Sequence, residues 1–114
     1  MAIYRKFIEK TLNEEDIKGW LKEQGQIKFL IERQALTEKD LDHIAMCMHH
    51  IYLVYHGMRP RIALGDFLRA LIQNDFNLAC GRADDVNRLV LPLYAMFLYS
   101  CVPCDYRKVL TRRG

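Results

Sequence analysis

The 114-residue chain lacks several features that mark specialised protein classes. Its longest apolar run, Leu89–Tyr99, is too short to span a bilayer and contains Pro92. Met1–Lys10 alternates apolar and charged residues, so it does not have the continuous apolar stretch of a signal peptide. The net charge of only +3 falls short of a dedicated nucleic-acid surface. These features predict a cytoplasmic protein without a membrane segment.

Strand patterns, internal repeats and low-complexity segments are also missing. A hydrophobic fraction of 51% with 27% charged residues is typical of a globular chain. This length predicts one domain, 1–114, divided into an N-terminal helical arm (1–36), a core (37–104) and a basic tail (105–114). The predicted fold class is all-α, a small bundle of about five helices.

The first third of the chain carries short helical patterns separated by clear signals. Met1–Leu12 has apolar pairs at i,i+4 spacing, which favours a short helix. Asn13 followed by three acidic residues is a strong start for a second helix. Gly25 predicts a break, after which an apolar stripe continues to Leu36. Phe29 lies off that stripe, so we expect it to be partly exposed.

The clearest helix begins after Thr37, where the sequence resembles a capping box with Asp40 at the third position. Apolar residues then recur at helical spacing, and Gly57 supplies a left-handed stop, so the pattern predicts a helix over Glu38–His56. This helix is apolar on more than one stripe. It is therefore expected at the centre of the domain, packed on two sides or against a partner subunit.

The second half predicts a connector at Pro60, an apolar helix, and a last long helix, Asp85–Ser100, capped by Asp84. Pro92 lies inside this last helix, so we expect a kink there. The predicted core residues are Leu41, Ile44, Met48, Phe67, Leu71, Leu89, Leu93 and Phe97.

Most of the unusual polar chemistry lies between the two apolar helical patterns of the second half. The candidate partner-binding residues there are Asn74, Asp75, Arg82, Asp84, Asp85, Asn87 and Arg88. Side chains of this kind either bind a polar partner or close on themselves as a buried ion and hydrogen-bond network. We expect Arg82 to belong to such a network and Arg88 to face solvent. No nucleophile or cleft can be assigned beside these carboxylates, so the prediction is a non-enzymatic protein without a cofactor.

Cys101 and Cys104 form a C-x-x-C motif that allows two other readings. A redox site needs the first thiol at a helix N-terminus, whereas this motif follows a helix. A zinc site would need further ligands from the histidines of residues 49–56, whose spacing is not a recognised one. We therefore predict ordinary thiols and no metal site.

Residues 55–104 contain an ordered series of short motifs, which are Tyr55-His56-Gly57, Gly65-Asp66-Phe67-Leu68-Arg69-Ala70-Leu71, Asn74-Asp75, Ala79, Arg82-Ala83-Asp84-Asp85, Asn87, Phe97-Leu98-Tyr99 and Pro103. Their order and spacing resemble a group of small uncharacterised proteins of tailed bacteriophages and prophages. Two departures are Ser100, where the pattern has Asn, and the missing Trp-Gly-Ser extension after Pro103.

The resemblance implies an accessory protein acting in a bacterial host. Its predicted function is binding of a host or phage protein, with inhibition of a host defence or regulatory complex as the expected effect. The apolar breadth of the Glu38–His56 helix also predicts a homodimer. The alternative is a nucleic-acid-associated regulator, because residues 41–114 carry nine basic and six acidic side chains.

Overall fold

The structure, a computed structural model, describes residues 2–57, Leu68 and residues 85–101. These residues contain no strand, and the predicted all-α fold class is confirmed. Six helices lie in the described residues, against about five predicted. They are α1 (Ala2–Glu9), α2 (Glu14–Glu23), α3 (Gly25–Glu32), α4 (Glu38–Tyr55), α5 (Asp85–Leu89) and α6 (Leu91–Cys101).

The predicted capping box at Thr37 is confirmed, and the helix start predicted at Asn13 also forms a capping box. The Asn13 side chain accepts the Asp16 backbone N–H at 2.8 Å, while the Asp16 carboxylate accepts the Asn13 N–H at 3.3 Å. Thr37 and Asp40 make the same exchange at the start of α4, at 3.2 and 2.8 Å. Each cap satisfies N–H groups that the helix cannot, which contributes about 1 kcal/mol.

The breaks between the first helices follow from local backbone choices. Gln24 has an extended backbone that ends α2 and allows α3 to begin at Gly25, as the sequence predicts. Lys10 and Gln34 adopt left-handed φ values of 63° and 60° just after α1 and α3. Gly57 has φ 72° one residue beyond the cap of α4, and this predicted stop is confirmed.

The core centres on α4, which packs against α2 and α5, while α1 packs against α2 and α6. The residues of α4 that the sequence assigns to the core, Leu41, Ile44 and Met48, are fully buried. Phe7 is also fully buried, and its ring meets aromatic rings of α4 and α6. The N-terminal residues from Ile3 to Leu36 therefore share one hydrophobic core with the later helices.

The predicted last helix is two helices, because the chain turns at Val90. Pro92 has no N–H and falls in the first turn of α6, where that donor is not needed. The break corrects one core assignment: Leu89 is 44% exposed, while Val90 is fully buried together with Leu93 and Phe97. The turn changes the helical register, so Leu89 no longer shares a face with Leu93. Its carbonyl accepts a hydrogen bond from the Gln26 side chain at 3.2 Å.

One residue of the predicted apolar helix after Pro60 is described: Leu68 is helical and buried. Several other predictions fall outside the described residues. The predictions that lie outside are the connector at Pro60, the core positions Phe67 and Leu71, the cap at Asp84 and the basic tail 105–114.

Candidate functional site

The structure places only part of the predicted polar segment. Asp85 begins α5, and its side chain is outside the described set. Asn87 and Arg88 lie on the same short helix and differ sharply in environment. Arg88 is exposed, as expected, whereas Asn87 is only 3% exposed. The remaining predicted partner-binding residues, Asn74, Asp75, Arg82 and Asp84, lie outside the described residues.

Asn87 has a structural role inside the domain. Its side-chain oxygen accepts a hydrogen bond of 2.7 Å from the hydroxyl of Tyr94, which is fully buried on α6. Its backbone carbonyl accepts the N–H of Val90 at 3.2 Å, within the turn between α5 and α6. A buried amide and a buried phenol are each stabilised by such pairing. Asn87 therefore fixes the junction between the two helices from within the core.

The exposed side of α6 is apolar, and the sequence did not single it out as a site. Tyr99 is 83% exposed and Met96 44% exposed, and Pro92 and Ala95 are exposed beside them. With 3.6 residues per turn these four positions span an arc of about 100° on one side of the helix. We call this surface the α6 face. The opposite side carries the buried residues Leu91, Leu93, Tyr94, Phe97 and Leu98.

No charged residue occurs between Leu89 and Cys101. A helix at the surface of a globular protein normally has charged or polar side chains on its outer side. Here both sides of α6 are apolar, and Leu89, two residues before the helix, is also 44% exposed. Clustered exposed apolar side chains of this kind mark sites of protein contact, and Tyr and Met are enriched in such contacts.

Charged side chains cluster instead where α2 meets α4. Lys18 contacts the carboxylates of Glu38 at 2.8 Å and Asp42 at 2.7 Å, and Lys22 contacts Glu38 at 3.2 Å. Hydrogen bonding to Asp42 and Glu38 raises the pKa of Lys18, and the bond from Lys18 lowers the pKa of Glu38. This network joins the two helices. Its lysines and carboxylates pair with one another, so it is not a candidate binding site.

Two histidines at the C-terminal end of α4, His49 and the cap residue His56, make packing contacts. The His56 ring donates a hydrogen bond to the Phe7 carbonyl at 2.6 Å, and the His49 ring stacks on Tyr52 with centroids 5.3 Å apart. Burial lowers the pKa of His50, with repulsion from His49 adding to it. Among the residues that the structure describes, no three His, Cys, Asp or Glu side chains converge as metal ligands would.

The C-x-x-C motif begins where α6 ends, since Cys101 is the last residue of the helix. That end of the dipole disfavours a thiolate, in agreement with the sequence argument against redox chemistry. Cys104 and the Cys101 side chain lie outside the described residues, so the zinc alternative is not tested.

The α6 face could have been predicted as a site from the sequence. The signal was the combination of helical spacing with a complete lack of charge from Leu89 to Cys101. Charged and amide side chains of the polar segment have more recognisable chemistry, so they indicated a site there instead. The exposure of Tyr99 and Met96 depends on which side of α6 packs inward, and that follows from the break at Val90.

Within the described ranges, no helix combines the length and the apolar character needed to cross a bilayer. Comparison with known proteins finds no matching family model, no matching curated protein and no matching solved structure.

Proposed function

We propose that this protein is a non-enzymatic interaction protein that binds another protein through the α6 face. The observation that carries the proposal is the exposure of Tyr99, at 83%, on a helix without a charged residue. A tyrosine can remove roughly 150 Å² or more from water when it is buried. Because Tyr99 is left in solvent beside Met96, we expect a protein partner to bury both side chains.

The chemistry of the α6 face defines the partner surface that would fit it. Pro92 and Ala95 are small, so a partner can approach the helix closely between Met96 and the start of α6. Tyr99 supplies a rigid aromatic anchor, and Met96 supplies a side chain that adapts to an irregular pocket. The complementary surface is an apolar groove with a hydrogen-bond acceptor for the Tyr99 hydroxyl.

The setting of the proposal comes from the resemblance of residues 55–104 to small tailed-phage proteins. On this proposal the chain is a phage accessory factor in the bacterial cytoplasm, and its partner is a host or phage protein. Inhibition of a host defence or regulatory complex is the expected consequence. The resemblance supplies this setting, and the α6 face supplies a means of binding.

The test is affinity capture from a bacterial host lysate, followed by identification and purification of the bound protein and titration of the purified pair. The double variant Met96→Ala/Tyr99→Ala should weaken the complex by about 2 kcal/mol or more, which is about thirtyfold in Kd. The matched control is Tyr4→Ala/Ile8→Ala, which removes two exposed apolar side chains from α1. It should bind as the wild type does.

Two outcomes would contradict the proposal. The first is equal affinity of the α6 variant and the wild type for the purified partner. The second is capture of nucleic acid alone, with salt-dependent binding to random duplex DNA, which is the behaviour of the alternative regulator.

The homodimer prediction is checked on the same variants by light scattering at micromolar concentration. A mass of twice 13.5 kDa that returns to 13.5 kDa in Met96→Ala/Tyr99→Ala would identify a second copy as the protein bound to the α6 face.

A further inference from the structure

A cleft of about 360 Å³ lies between α1 and α2, away from the α6 face. Its α1 wall contains Ile3 and Lys6, and its α2 wall contains Glu15, Gly19 and Glu23. The volume is within the range of about 300–1,000 Å³ seen for ligand pockets. Polar and apolar groups both line it, so it suits a ligand with a charged head and an apolar stem.

Three residues of the α2 wall are regularly spaced along the helix. Glu15, Gly19 and Glu23 are spaced at i, i+4 and i+8, which places them on one side of the helix. The backbone positions of the two glutamates are separated by about 12 Å along the axis, with a bare glycine between them. A Cβ added at Gly19 would meet no atom within 4 Å, so the glycine leaves open space and relieves no collision.

The charges in the cleft do not balance. Lys6 contacts the Asp16 carboxylate at 2.7 Å, so that pair neutralises itself. Neither Glu15 nor Glu23 has an ion-pair partner among the described residues, and both are exposed. The cleft therefore carries a surplus of two negative charges, positioned at either end of the space above Gly19.

Two of these residues weaken the helix that bears them. Gly19 stands in the interior of α2, where glycine is among the poorest helix formers. Glu23 is the last residue of α2, where the helix dipole disfavours a carboxylate. Local choices that oppose stability concentrate at functional sites. Gly19 and Glu23 both lie on the α2 wall of this cleft.

We infer that this cleft binds a basic segment of a partner protein, with two Lys or Arg side chains about 12 Å apart. In an extended chain, residues four apart span about 13 Å, which matches the distance between Glu15 and Glu23. The alkyl stems would pass over Gly19 and against Trp20, and the cationic heads would meet the two carboxylates. This site is separate from the proposed α6 contact and does not depend on it.

Trp20 provides the measurement, because it lines the cleft and is the single tryptophan of the chain. The probe is a blocked peptide, Ala-Arg-Ala-Ala-Ala-Arg-Ala, which has no fluorescence of its own. It should produce a saturable change in tryptophan emission. The same peptide with Glu in place of Arg should produce none, and one with adjacent arginines should bind more weakly.

Filling the space above the glycine tests the position of the site. Gly19→Leu should abolish binding of the diarginine peptide, and circular dichroism should show the variant folded, since leucine is a better helix former. Gly25→Leu is the matched control: Gly25 also has open space around its Cβ position and does not line the cleft. It should bind as the wild type does.

Removing the charges tests the chemistry. Glu15→Gln/Glu23→Gln should weaken peptide binding about fivefold, as expected for the loss of two solvent-exposed ion pairs. Glu32→Gln on α3 is the control for a change in overall charge and should have no such effect. Equal binding by the Gly19→Leu and Gly25→Leu variants would overturn the inference, as would equal binding of the Arg and Glu peptides.

The two proposals fail separately. Met96→Ala/Tyr99→Ala leaves the cleft intact, so it should bind the diarginine peptide normally even if the α6 face has no partner. Loss of peptide binding in that variant would show that the tryptophan signal does not report on the cleft, and would also overturn the inference.

Discussion

Tyr94→Phe removes one oxygen atom from the core and tests whether Asn87 is structural. The Tyr94 hydroxyl donates a 2.7 Å hydrogen bond to the Asn87 side chain, and both side chains are buried. Removing a donor from a buried acceptor costs about 1–2 kcal/mol, since water cannot replace the lost bond. For a domain of this size, each kcal/mol lowers the melting temperature by about 4 °C.

The assay is urea denaturation of Tyr94→Phe, Asn87→Ala and the double variant. Asn87→Ala should cost about 1–3 kcal/mol, and the two changes should be non-additive by about 1 kcal/mol because they remove the same bond. Tyr99→Phe is the matched control on the same helix, where the hydroxyl is attached to an exposed ring. Its unfolding free energy should stay within about 0.5 kcal/mol of the wild type.

Equally small effects of Tyr94→Phe and Tyr99→Phe, or an additive double-mutant cycle, would refute a stabilising bond between Tyr94 and Asn87. Such a result would argue against a stabilising role for the Asn87 side chain and would favour the partner-binding role that the sequence predicts for it. The expected result instead assigns Asn87 to the interior, while Arg88 is exposed on the same helix.

Burial lowers the pKa of His50, so the unfolded state takes up a proton near pH 6.5 before the folded state does. The unfolding free energy should therefore fall as the pH drops from 7.5 to 5.5, and less steeply in His50→Gln. Gln34→Gly should raise stability by about 0.5–1 kcal/mol, because Gln34 has a φ of 60°, whereas Lys28→Gly inside α3 should lower it by a similar amount. Arg88→Ala should change stability by no more than about 0.5 kcal/mol, while Arg82→Ala should cost about 3–5 kcal/mol if Arg82 is a buried network residue. Thermal melts of each variant beside the wild type check all three expectations.

The sequence was most informative where a few neighbouring residues decide the structure. The caps at Asn13 and Thr37 and the stop at Gly57 need only residues within one turn, and all three are confirmed. The centre of the core on α4 was also predictable, since its apolar residues exceed one stripe. Such features depend little on the rest of the chain.

The sequence was least informative around Pro92, where two local structures compete. Proline has no N–H, and either a kinked helix or a broken helix can accommodate it. The helix is broken at Val90, and this break determines which side chains face the core. Leu89 became exposed for that reason. The bond between Asn87 and Tyr94 crosses the break, so its existence depended on the same choice.

The contact of Phe7 with Phe97, whose ring centroids are 6.3 Å apart, has a consequence for the order in which the chain folds. These residues are about ninety positions apart, and synthesis at about 5–20 residues per second separates their appearance by roughly 5–20 seconds. During that interval Phe7 can meet Tyr52 and Tyr55 of α4 first, and α6 only afterwards. The nascent chain therefore carries an incomplete aromatic cluster that is completed only when α6 has been synthesised.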